Sequence, residues 1–392
     1  NAIVELETKL AEVSRTRVEM RNPQKNYNKM AYADVQKSSP NINWDLYFGG
    51  LNMSPDSVIV RQPEFFVALS KEMKATSMDT WKSYLRWNVI TSFASYVNKD
   101  FEQEDFNFFR KTLGGQKEQK ERWKTVQGTV NRQVGEELGK LYVAKAFPPE
   151  AKQRMEELIA NLRGAFADHI TNLEWMGDET KEKALEKLNA VKYKIGYPDK
   201  WKDYSALTVN RDSYVGNVMR ANEFSFDEMT AKLGKEVDQT EGGMTPPTVN
   251  AYYSPVMNEI VFPAGILQPP FFDFKADDAV NYGGIGAVIG HELSHGFDDQ
   301  GSQYAADGNL KNWWSDADRE KFEGKTKVLV DQYSAYTVLD TIHVNGELTL
   351  GENIADYGGM TMAYDALLKA MEKSGKTDKI DGFTPQQRFF IN

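Results

Sequence analysis

The stretch Gly290-His291-Glu292-Leu293-Ser294-His295-Gly296 constrains this chain more than any other part of it. In a helix, His291 and His295 sit one turn apart on one face, about 6 Å between Cβ atoms, the reach two imidazoles need to share one zinc ion. Glu292 is rotated by about 100° from His291, close enough to hold a metal-bound water without ligating the metal. The chain has only 4 histidines, so this pairing is a specific signal rather than a by-product of composition. The preceding run, Tyr282 to Gly290, is apolar and rich in glycine. Glycine costs a helix about 1 kcal/mol against alanine, so several together imply that another backbone or a ligand approaches closely.

A zinc site of this kind takes a third protein ligand and leaves the fourth position open. The candidate lies in Thr349 to Gly359, where Glu352 and Asp356 are spaced i, i+4 and share a helix face between apolar residues and glycines. One carboxylate would ligate the metal and the other would accept a hydrogen bond from a ligand imidazole, fixing its tautomer. Asp298 and Asp299 are poorly placed to close a tetrahedron with His295 and stand as supporting groups.

Composition bounds the alternatives. A chain of 392 residues with 41% hydrophobic and 27% charged residues is long enough for two cores. Net charge of −10 and pI near 5.2 argue against nucleic-acid partners. No run of 18 apolar residues occurs, so no membrane span is expected. The absence of cysteine excludes disulfide and thiol chemistry without assigning a compartment. Asn1 opens the chain inside a helical pattern, as expected of a processed or truncated piece.

The first half reads as almost wholly helical, with apolar stripes over 2–18, 63–74, 79–98, 118–146 and 155–173, and a further helix over 178–194 with Asp178 as its N-cap. A short helix is predicted over 27–35 and a strand over 58–60. Leu138, Leu141 and Val143 are assigned to a buried side, and His169 to a satisfied core position. After about residue 197 the pattern changes. A helix around 214–222 is followed by two strand-like runs, 249–253 and 259–262, which predict a hairpin ahead of the motif. Such a hairpin offers an edge to an extended peptide, with Asn250 reaching its backbone. The proline-broken apolar run 262–272 suits a pocket wall. Helices are expected over 316–333 and from Thr384-Pro385 onward, and His343 reads as structural.

Asn250-Ala251-Tyr252-Tyr253, Val261 to Phe272, HELSH at 291–295 and GENIAD at 351–356 resemble the neprilysin family of zinc endopeptidases, with weaker matches at Tyr27 to Met30 and Ile195 to Asp199. The resemblance implies a thermolysin-like α/β zincin catalytic domain over 197–392, preceded by a mostly α-helical domain over 1–196 that covers the active site. It implies one Zn2+ held by His291, His295 and Glu352, with Glu292 as general base and Asp356 orienting His291. Asn250 and Ala251 resemble binders of substrate backbone. Ile266, Phe271 and Val288 resemble walls of the pocket for the residue after the scissile bond, which implies cleavage of small peptides before hydrophobic residues. The cysteine-free composition resembles bacterial members, which act outside the cytoplasm.

Two departures accompany the resemblance. Family members are longer at both ends, and they continue past Asn392 to a histidine and an arginine that stabilise the oxyanion; no residue here matches either one. The sequence expectation is a chain nearly inactive alone unless a second polypeptide supplies those parts. The alternative is a zinc-stabilised peptide-binding or scaffold fragment without catalytic activity.

Overall fold

A computed structural model describes all of residues 1–392. They form two compact units, one of residues 1–134 with 203–237 and one of residues 135–202 with 238–392. In the first unit, helices Ala2–Glu12, Pro63–Ala75, Met78–Val97 and Tyr214–Thr230 dominate. Pro63 opens its helix at a position where the missing N–H costs nothing, and Ser77 caps the next by accepting from the Thr80 N–H. Residues 29–31 are not helical as expected. Lys29–Ala31 forms β1, antiparallel to β2 (Ser57–Ile59), with Met30 opposite Val58, and the helix starts only at Tyr32. Val35, Trp44 and Val60 form a small core there, with the Trp44 indole donating to Ser39 Oγ at 2.9 Å. The first helix ends at Glu12, short of the expected residue 18.

The chain leaves the first unit at Val134, whose backbone (φ −136°, ψ 41°) breaks the helical stretch Arg122–Ala146. Beyond it Leu141 is 73% exposed, contrary to its expected burial. Helix Pro149–Asn172 buries Ala151, Met155, Leu158, Ile159, Leu162, Ala165, Phe166 and Ile170, a stripe at helical spacing. These side chains join one core that also takes in Ile260, Phe262, Ile289, Leu293 and Leu367. Residues 135–202 pack with the motif-bearing part because the two share this core.

The helix Asp178–Ala190 stops short of the expected residue 194. Its N-cap is Gly177, with Asp178 inside the first turn, and the Asp318 carboxylate accepts from the Gly177 N–H and the Thr180 hydroxyl. Lys192–Gly196 is instead strand β3, which pairs in parallel with β5 (Glu259–Pro263) from Lys192 opposite Glu259 to Gly196 opposite Pro263. On the other side of β5 lies β4 (Tyr252–Ser254), antiparallel and at the sheet edge, as the hairpin reading required. Every residue of β5 is buried, as suits a central strand covered on both faces.

Two helices carry the chemistry. The motif helix, Ala287–His295, follows a π-helical turn over Tyr282–Gly286. The carboxylate helix, Gly346–Ser374, crosses it where Gly290 meets Gly359: a Cβ on Gly290 would lie 2.7 Å from Gly359 Cα, and one on Gly359 would lie 2.6 Å from the His291 nitrogen. The glycines thus admit a second backbone, as their clustering suggested.

Candidate metal centre

The motif helix forms because apolar Ile289 and Leu293 face the core while His291 and His295 share the opposite edge. The two Nε2 atoms face each other at 2.9 Å, and Glu352 Oε2 lies 3.3 Å from the first and 3.5 Å from the second. Tetrahedral zinc with bonds near 2.0–2.1 Å needs donors about 3.3 Å apart, so a single point about 2 Å from all three atoms exists. His291, His295 and Glu352 are accordingly a group able to hold a metal ion.

The surroundings fix both rings. His291 Nδ1 donates to Asp356 Oδ1 at 2.8 Å, and His295 Nδ1 donates to Asp298 Oδ2 at 2.8 Å. With both Nδ1 atoms engaged as donors, both Nε2 atoms aim at the same point, where their lone pairs repel each other unless a proton or a metal ion stands between them. This is the physical test of fit, and the donor set passes it. Asp298 is 3% exposed and its other oxygen accepts from the Gln300 and Gly301 N–H groups at 2.8 and 2.7 Å. The backbone carbonyl of Asp299 accepts from the Gln303 side-chain amide.

Glu292 is 6% exposed, and burial pushes its carboxyl above the usual range, with the two histidines working against that and Glu352 adding to it. The Tyr253 N–H, on β4, also acts against that rise. At His295 burial opposes the cation, but the hydrogen bond and charge of Asp298, joined by Glu292 and Glu352, outweigh it and raise the imidazole above its ordinary value. The carboxylates of Asp298, Asp356, Glu292 and Glu352 gathered around the two rings favour a cation there.

The other sequence candidates lie outside this donor set. Asn250 is exposed and Ala251 buried immediately before β4. Ile266 and Val288 pack in one core cluster; Phe271 is 38% exposed, and its carbonyl accepts from the Ile285 N–H at 2.7 Å, one turn before Val288. His169 lies away from the centre, half-buried and paired with Asp365 at 2.5 Å, and His343 is exposed in a short strand. Sequence reasoning missed the Tyr253 N–H, since a main-chain donor carries no residue signature.

Models of peptidase family M13 match residues 1–198 and 250–392. The chain belongs to peptidase family M13. Among M13-type relatives, it is 38% identical over 412 residues to an endothelin-converting enzyme homolog of Locusta migratoria, covering 100% of this chain and 56% of that protein. It is 36% identical over 410 residues to neprilysin-11 of Caenorhabditis elegans, covering 100% of this chain and 48% of the relative. Among solved structures, the zinc metalloprotease Zmp1 of Mycobacterium tuberculosis in complex with inhibitor superposes with a TM-score of 0.94 at 44% identity, over 99% of this chain and 60% of that one. The chain thus spans about half the length of the curated relatives it matches. The neprilysin-family resemblance and the fold class it implied, a zincin-type α/β part with a mostly helical part ahead of it, are borne out. No helix of this M13 chain is long and apolar enough to cross a membrane.

Proposed function

We propose that this chain carries the catalytic centre of a zinc-dependent endopeptidase, with His291, His295 and Glu352 holding one Zn2+ and Glu292 as the general base. The observation that carries the proposal is the donor triangle of 2.9, 3.3 and 3.5 Å beside a buried carboxylate of raised pKa. Zinc held there supplies Lewis acidity, polarising a peptide carbonyl and acidifying a water molecule. Glu292 takes the proton released as water adds to the carbonyl carbon and passes it to the leaving amine; burial, by raising its pKa, suits it to both steps. Asp356 and Asp298 hold the two rings with Nε2 free of protons.

An extended peptide adds to the exposed edge of β4, with Asn250 and Ala251 meeting its backbone, and Ile266, Phe271 and Val288 forming the pocket for a hydrophobic residue after the scissile bond. The family resemblance supports action outside the cytoplasm, which fractionation of the source cell would check.

The experiment is zinc analysis with cleavage mapping of a peptide library, on the wild-type chain and Glu292→Gln. General acid–base catalysis contributes about 10²- to 10⁴-fold, so the variant should lose at least that factor while binding about one zinc per chain. Cuts should fall before hydrophobic residues. A Glu292→Gln chain unchanged in every property would instead favour a metal-stabilised scaffold.

A further inference from the structure

Lys187, on the helix Asp178–Ala190, is 1% exposed and is the one lysine among the buried residues. An ammonium taken out of water is strongly unfavourable unless its donors are met, and here they are. Nζ donates to the carbonyls of Gly301 and Tyr304, each at 2.7 Å. The rings of Phe297, Trp313 and Tyr253 lie 5.5, 5.9 and 6.0 Å from it, within cation–π range. Burial pushes Lys187 down to about 7, and the charge of Asp298 acts in the opposite direction. A methionine would fill the same volume without that penalty, so the charge and its donors have a further task.

The two carbonyls belong to the turn that follows the motif helix. Asp298 begins that turn, tied to the Gln300 and Gly301 N–H groups through one oxygen and to His295 Nδ1 through the other. The turn is tight against the histidine: a Cβ on Gly301 would lie 1.8 Å from the His295 carbonyl. The backbone of Lys187 reaches the base as well. Its carbonyl accepts from Asn258, whose side-chain oxygen accepts from the Tyr253 hydroxyl, and the Tyr253 N–H lowers the Glu292 pKa.

We propose that Lys187 is a positioning residue of the metal centre: by gripping the Gly301 and Tyr304 carbonyls it fixes the Asp298 carboxylate beneath His295, and through it the direction of His295 Nε2. This rests on the metal-centre reading above. The residue touches neither substrate nor metal and acts through the turn.

The test is the zinc dissociation constant of the whole chain, by competition with a chromophoric chelator, together with the visible spectrum of the Co2+-loaded form. Loss of an outer support weakens metal binding by roughly 10- to 100-fold, and Lys187→Met should do so while shifting the Co2+ bands. Leu188→Ala, which cuts a fully buried side chain on the same helix, should lower the melting temperature but leave both readouts in place. Asp298→Asn should match the loss, and adding Lys187→Met to it should cost little more. Unchanged zinc affinity in Lys187→Met, or an equal loss in Leu188→Ala, overturns the inference. Should Lys187→Met not fold, Lys187→Gln, which keeps a donor without the charge, replaces it; failure of both to fold makes Lys187 a folding residue and ends the positioning role. A wild-type chain that binds no zinc sinks the metal reading and this inference with it, whereas zinc-binding wild type beside an unaltered variant sinks this inference alone.

Discussion

Replacing Gly359 by alanine tests whether the crossing of two backbones sets the donor triangle. The added Cβ would stand 2.6 Å from the His291 nitrogen, 2.7 Å from the Ala287 carbonyl oxygen and 3.0 Å from His291 Cα. Ordinary contacts begin near 3.4 Å, so relief needs the helices to part by about 0.8 Å. Glu352 lies two turns earlier on the same face as Gly359, and its Oε2 now stands 3.3 and 3.5 Å from the two imidazole nitrogens. Metal bonds tolerate only about 0.2 Å, so a shift of that size carries Glu352 out of range and should weaken zinc binding at least tenfold. Overpacking costs about 1–3 kcal/mol and the helix gains about 1 kcal/mol from alanine, leaving the metal-free chain between neutral and about 2 kcal/mol less stable. Gly324→Ala, on helix Asp316–Ser334 with open space around the new methyl, is the control and should only stabilise. Chelator competition gives the affinity and a thermal melt gives the stability. An unchanged zinc constant together with a raised melting temperature for Gly359→Ala would refute the reasoning.

Further outcomes follow from single contacts. Asp356 is 76% exposed and accepts from His291 Nδ1, so Asp356→Asn should weaken zinc binding about tenfold with little change in melting temperature, checked by the same competition and melt. Asp318 is buried and held down to about 2, first by the Thr180 hydroxyl, with the Gly177 N–H, Ser315 and Lys321 adding to it against the cost of burial. Its folded pKa is depressed, so its contribution is present above the unfolded value near 3.9 and fades as pH falls towards 2. Wild type should therefore exceed Asp318→Asn by about 2 kcal/mol in urea melts at pH 7, with the gap closing between about pH 5 and pH 2; a gap independent of pH would refute the assignment.

What the sequence made legible was what is local. His291 and His295 announce themselves because four residues make one helical turn, and the stripe from Met155 to Ile170 because its period is the helix's own. Strand β3 was lost to a helix reading because Lys192-Tyr193-Lys194 carries no strand pattern by itself; its geometry comes from β5, whose first residue is Glu259. The glycines at 283, 284, 286 and 290 signalled a close approach without naming the visitor, which proved for Gly290 to be Gly359 and for Gly284 the carbonyl of Phe271. Lys187 lies between these cases. Ala184, Leu188 and Val191 are buried, and position 187 falls on the same face, three residues after the first and four before the last. A lysine at an apolar stripe position signals a buried cation with partners elsewhere, and that much the pattern carries. Its partners are carbonyl oxygens, which any residue supplies. What marks the turn in the sequence is Gly301, because at that place a side chain would strike the backbone of the histidine that the turn supports.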